Sequence, residues 1–145
     1  MTFAKALALP TELAVIGFSD TVVDATGYRP DHPYVETCHL PIIGPSAFVL
    51  WRRLASQVAT TRAAPVLVDT TDLFLSIGLG ESLERTGRGA RTLARLVQFD
   101  FAYRGGRDHQ LLAVRHTIGR VPAENLGRLP LSARQFHERS ALGGS

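Results

Sequence analysis

Arg88, Arg91, Arg95 and Gln98 are the side chains whose type and spacing point most directly to chemistry. They follow one another at three, four and three residues, which sets them together on one side of an α-helix. A guanidinium is planar, always charged and able to pair with a phosphate or the edge of guanine, and a glutamine amide can pair with adenine. Leu93, Leu96, Val97 and Phe101 recur at helical offsets on the opposite side, an apolar stripe fit to face a core. A helix that packs on one side and presents Arg and Gln on the other has what major-groove reading requires. The competing interpretation is a solvated helix in an arginine-rich protein, since charge runs commonly mark plain surface.

Such a helix needs a domain to hold it, and the length suffices for one. The chain has 145 residues, 45% hydrophobic, with a mean hydropathy of +0.05, the profile of an ordinary globule with a real core. Net charge is +3 and unevenly spread. Residues 1–80 carry a balance of −2 and residues 81–145 a balance of +5, which favours a polyanionic partner for the second part. Lys5 is the only lysine among the sixteen basic residues. That bias fits a GC-rich coding genome as well as it fits phosphate chemistry.

Cys38 is the single cysteine, so no internal disulfide framework forms, and a reducing cytoplasm is the expected compartment. No window approaches the roughly 20 apolar residues of a bilayer span. The short run from Ala6 to Leu9 is stopped by Pro10, Thr11 and Glu12 before it reaches signal-peptide length.

Along the chain, residues 1–40 read as an N-terminal extension. Pro10–Glu12 starts a short helix carrying Leu13 and Ile16, and Ser19 or Asp20 caps a second one ended by Gly27. Tyr28 to Pro33 is irregular, and Tyr34 to Leu40 extended. Gly44-Pro45-Ser46 opens a longer helix with proline in its first turn, burying Ala47, Leu50, Trp51, Leu54 and Val58. Trp51 lies on that stripe and reads as core. Val66-Leu67-Val68 suits a strand. Asp69 or Thr70 caps the next helix, and Gly78 stands at its left-handed C-terminal cap with Leu79 closing the contact. After a loop to about Gly87 comes the arginine-bearing helix. Phe101 to Arg104 and Gln110 to Thr117 are then β-like runs around Gly105-Gly106, a hairpin signal. In the tail, Ser132 caps a short helix. There Leu129, Leu131 and Phe136 either make a partner contact or close over the domain's own core.

The order helix, strand, helix, helix, strand, turn, strand resembles the winged-helix variant of the helix-turn-helix fold over residues 43–121. The strings YVETCHLPIIGPS, RTLARLVQF and LLAVR resemble a little-characterised actinobacterial helix-turn-helix group, a resemblance that brings no activity with it. The implied fold is α+β: a three-helix core with a small β-hairpin wing in residues 41–121, an N-terminal extension in 1–40, and a tail in 122–145 with a helix. In that family the third helix enters the major groove and the wing touches the backbone. Carried over, the reading helix is Arg88 to Phe99, with Arg91, Thr92, Arg95 and Gln98 meeting bases or phosphates. The wing is Phe101 to Thr117, tipped by Arg104, Arg107 and His109, and Arg88, Arg104 and Arg107 would hold the DNA backbone.

The sequence departs from the family in one place. Leu79 to Gly87 replaces a tight turn and carries Glu81 and Glu84, which would repel phosphates if they faced a duplex.

The expectation is therefore a double-stranded-DNA-binding protein, a transcriptional regulator or small chromosome-associated factor, cytoplasmic and associated with the nucleoid. Helix-turn-helix proteins read paired half-sites as dimers, so a homodimer is the second expected partner; no membrane and no cofactor are expected. The alternative is a winged-helix adaptor for another protein, with the acidic loop from Glu81 to Glu84 covering the arginine face. An enzyme is not expected. Gly78-Leu79-Gly80 starts like a dinucleotide loop but follows a helix and lacks the third glycine. His32, Cys38 and His39 lack a second ligand pair for zinc. His109, His116 and His137 show no Ser or Asp partner in an acyl-transfer arrangement.

Overall fold

Leucine, valine and β-branched residues alternate from Glu12 to Phe18, and this run forms strand β1 rather than the helix expected there. Leu13 and Val15 point to one side and are fully buried. The pair Leu13 and Ile16 mimics a helical step of three, but Leu13 and Val15 make the step of two that a half-buried strand requires. The computed structural model describes residues 8–58 and 64–143.

The fold is α+β. After β1 come α1 (Thr21–Thr26), a π-helical turn (Val35–His39) running into α2 (Leu40–Ile43), α3 (Pro45–Val58), β2 (Val66–Asp69), α4 (Thr70–Ser76) and α5 (Arg88–Gln98). The chain continues with β3 (Ala102–Gly105), β4 (Leu111–Arg115), a 3-10 stretch (Ala123–Arg128) and α6 (Leu131–Gly143). The four strands form one mixed sheet in the order β2-β1-β4-β3. β1 runs antiparallel to β2, with Leu13 opposite Val68, and parallel to β4, with Val15 opposite Leu112. The segment expected as an extension thus supplies an interior strand, inserted between β2 and the hairpin. Its apolar face joins Leu112 and Val114 in the core.

Local signals hold well elsewhere. Asp20 caps α1 by accepting from the amides of Val22 and Val23, and Asp69 caps α4 by accepting from the Asp72 amide at 2.9 Å. Gly78 takes a φ of +80, a conformation glycine adopts without steric penalty, while the Leu79 amide reaches back to the Phe74 carbonyl at 2.8 Å. All five residues of the α3 stripe are buried, and Trp51 is fully enclosed, its indole N–H donating to the Arg115 carbonyl at 3.0 Å. The hairpin β3–β4 pairs as expected, Arg104 opposite Leu112, with a 3-10 turn of Arg107–His109 at its tip.

Tyr34 to Leu40, expected as extended, is helical instead. That winding brings Tyr34, Val35, Cys38 and His39 inward together. In the tail, Leu129 is buried and Phe136 half-buried against the core, whereas Leu131 stands out in solvent.

Candidate nucleic-acid interface

The apolar face of α5, namely Ala90, Leu93 and Leu96, is buried against the core, chiefly against α3. Gly89 lets the helix approach α4. A Cβ at that position would overlap the Phe74 ring, so a larger residue would push the helices apart. At its other end α5 closes through the Phe101 amide, which donates to the Leu96 carbonyl at 3.0 Å. Asp100 accommodates that turn with a φ of +64.

The seven residues singled out in the sequence divide into two groups. Arg88 and Arg91, one turn apart on α5, and Arg107 at the hairpin tip are exposed. Their guanidinium groups form no hydrogen bond or ion pair among the described residues. Gln98 is half-buried at the C-terminal end of α5.

The other three are engaged within the fold. Arg95 donates from Nε to the Ile43 carbonyl at 2.7 Å and from a terminal nitrogen to the Ile42 carbonyl at 2.8 Å. It therefore satisfies the C-terminal carbonyls of α2, groups a helix end leaves open. Its guanidinium also lies 5.5 Å from the centre of the Phe99 ring. Thr92 does not reach the surface. It is 9% exposed and its hydroxyl donates to the Arg88 carbonyl at 2.7 Å, back-bonding within the helix. Arg104 donates to the His109 carbonyl at 2.7 Å across the hairpin, and burial draws its pKa below the usual arginine value. Arginine at helical spacing reveals a donor, but the acceptor that claims it is set by the fold.

Glu81 and Glu84 are exposed and form no ion pair with the arginines of α5 among the described residues. The loop nevertheless passes beside the helix: the Arg88 guanidinium lies 3.6 Å from the position a Cβ on Gly80 would take. Charge repulsion of an approaching phosphate by this loop stays available in this geometry.

Two clusters were not legible in the sequence. Arg115 stacks over Phe18 and Tyr103, with ring centres 4.9 and 5.5 Å away, and lies 3.6 Å from Asp20. The second cluster fastens α6. The Tyr34 hydroxyl accepts from the Val121 amide at 2.9 Å and meets Nδ1 of His137 at 2.7 Å. Which of the two donates follows the His137 tautomer, Nδ1 accepting when the ring proton sits on Nε2. Arg120 donates to the His137 carbonyl at 2.7 Å, and the Cys38 thiol to the Ala133 carbonyl at 3.5 Å.

Burial pushes Tyr34 up to about 12, raises Cys38 and lowers His137. His39 bonds the Gly119 carbonyl at 2.7 Å; burial depresses it to about 4. These groups act as neutral struts at ordinary pH. Among the described residues, no three His, Cys, Asp or Glu side chains gather as a metal site would need, and no helix is long and apolar enough to cross a membrane.

No protein-family model matches the chain, and searches of curated proteins and of solved structures return no match.

Proposed function

We propose that this protein binds double-stranded DNA as a winged-helix transcriptional regulator or small chromosome-associated factor, with α5 as the groove-facing helix and β3–β4 as the wing. The observation that carries the reading is the pair Arg88 and Arg91. Both guanidinium groups stand exposed on the outer face of a helix whose other face is buried, and neither forms a hydrogen bond or ion pair among the described residues. Unpaired arginines held on a rigid helix lose little freedom on meeting a phosphate. Arg107, exposed on the hairpin tip, supplies a further backbone contact. The order α3, β2, α4, α5, β3, β4 supports the winged-helix assignment, with β1 as an added strand. In this reading Arg95 and Arg104 shape the interface, Gln98 stands at its edge, and Thr92 lies beneath it.

The test is fluorescence anisotropy with mixed genomic duplex fragments across a salt titration, on wild type and on Arg88→Ala/Arg91→Ala. DNA binding through these residues gives an affinity that falls steeply with salt and a slope flatter by about two in the double variant. Failure of the wild type to bind at low salt would sink the reading.

A second reading is a protein-interaction adaptor without direct DNA contact. It rests on the loop beside Arg88, where Gly80 stands near the Arg88 guanidinium and Glu81 and Glu84 of the same loop are exposed. The two are separated by Glu81→Gln/Glu84→Gln. A DNA-binding face gains affinity when that charge is removed, and an adaptor shows no duplex binding in either form.

A further inference from the structure

A cavity of about 480 Å³ opens where the C-terminal end of α5 meets α2 and the segment leading into the 3-10 stretch. Its volume lies within the roughly 300–1,000 Å³ usual for small-molecule sites. Ile42, Phe99 and Ile118 give it an apolar wall, and Arg120 and Arg128 are among its lining residues.

Of the three arginines lining this cavity, Arg120 alone is part-buried with no ion pair among the described residues. Arg120 is half-buried, and its hydrogen bonds go to neutral acceptors, the Tyr28 hydroxyl at 3.3 Å and the His137 carbonyl at 2.7 Å. Arg128 makes no hydrogen bond or ion pair among the described residues and lies 5.9 Å from the centre of the Phe99 ring. Arg115, which also lines the cavity, has Asp20 at 3.6 Å. Asp100 and Glu124 are the acids at the cavity; both are exposed and neither forms an ion pair among the described residues. Arg128 is exposed, so it is Arg120 that is partly withdrawn from water, and such a cation is ordinarily matched by an anion. Beside an apolar wall, the fitting anion has an apolar body of its own.

We infer that this cavity is a binding site for a small organic carboxylate, its carboxylate held by Arg120 and Arg128 and its apolar body laid against Ile42, Phe99 and Ile118. The site also bears on α5. Gln98 lines the cavity, and Ile42 and Ile43, which line it too, are the residues whose carbonyls hold Arg95. An occupant that displaces α2 therefore shifts the helix proposed to meet DNA. That consequence rests on the DNA reading, whereas the site itself does not.

The experiment is a titration of the full chain, without DNA, followed by amide chemical shifts in ¹⁵N-labelled protein. The probes are benzoate, indole-3-acetate and octanoate, with benzamide and indole-3-acetamide as uncharged counterparts and inorganic phosphate as a bare anion. The expected result is saturable shifts at Gln98 to Phe101 and Ile118 to Arg128 with at least one carboxylate, small or absent with its amide, and at least tenfold weaker in Arg128→Ala. No saturable shift with any of the three carboxylates overturns the site. So do equal responses to the amides or to phosphate, or shifts spread over the whole chain.

Repeating the duplex anisotropy with the bound carboxylate at saturation then tests the coupling. An affinity changed several-fold supports it, and an unchanged affinity overturns it. A chain that never binds duplex but shows the localised shifts keeps the site and loses the DNA reading.

Discussion

The ring of Phe74 occupies the space that a methyl group on Gly89 would need. This pair sets how closely α4 and α5 cross, and so how far the arginine face of α5 stands out from the core. Alanine in a helix ordinarily stabilises it by about 0.5–1 kcal/mol relative to glycine. Here we expect the opposite sign. Gly89→Ala should destabilise by about 1–3 kcal/mol through overpacking, seen as a lower midpoint in urea unfolding. Phe74→Leu in the same chain should recover part of that loss. A more stable Gly89→Ala protein would show that the two helices yield freely.

Arg95 and Arg91 differ by one helical turn and should differ in kind. Arg95→Ala removes two hydrogen bonds to the carbonyls of Ile42 and Ile43 and should cost about 1–3 kcal/mol of stability. Arg91→Ala removes no side-chain hydrogen bond or ion pair among the described residues and should stay within about 0.5 kcal/mol of wild type, while lowering duplex affinity. Chemical denaturation and anisotropy on the same preparations separate the two. An Arg95→Ala protein as stable as wild type would remove its capping role.

Arg107 stands exposed on the hairpin tip, and its guanidinium forms no hydrogen bond or ion pair among the described residues. If the wing meets the phosphate backbone, Arg107→Ala should weaken binding to every duplex alike and reduce the salt slope by about one. A loss confined to particular sequences would instead place Arg107 against base edges.

Stability should fall on acidification. His39 is held neutral in the folded chain by burial, at about 4, against about 6.5 when unfolded. The unfolded chain therefore binds the proton first. The stabilisation is complete above pH 6.5 and is lost as pH falls toward 4, by up to about 1.4 kcal/mol per unit. His137, lowered in the same direction, adds to the slope. Urea midpoints at pH 7, 6, 5 and 4.5 check this, and His39→Gln should flatten the dependence. A midpoint constant across that range would show that neither imidazole is buried in the neutral form.

Tyr34 joins the Val121 amide to His137. Tyr34→Phe keeps the ring and leaves a buried N–H without its acceptor, a loss of about 1–3 kcal/mol. Hydrogen exchange should show the opening concentrated in α6 and in the residues leading to it. Uniform loss of protection would mean that α6 does not respond separately.

What the sequence determined by itself is local. The caps at Asp20 and Asp69, the stripe of α3, the left-handed Gly78, the two faces of α5 and the hairpin around Gly105-Gly106 are each encoded within a few residues. Periodicity and turn chemistry act over that range, so these elements could be read directly. The α+β class follows from them.

The tertiary structure decided the remainder. Leu13 suits a helix with Ile16 and a strand with Val15. The choice fell to β2 and β4, whose residues pair with β1 from about fifty and a hundred positions away. Likewise, the five arginines singled out on α5 and the hairpin look alike in sequence. Arg95 became a cap for α2, Arg104 a brace for the hairpin, and Arg88 and Arg91 stayed open to solvent. A guanidinium announces its donors in sequence. Which carbonyls come within 3 Å of them depends on how distant segments pack.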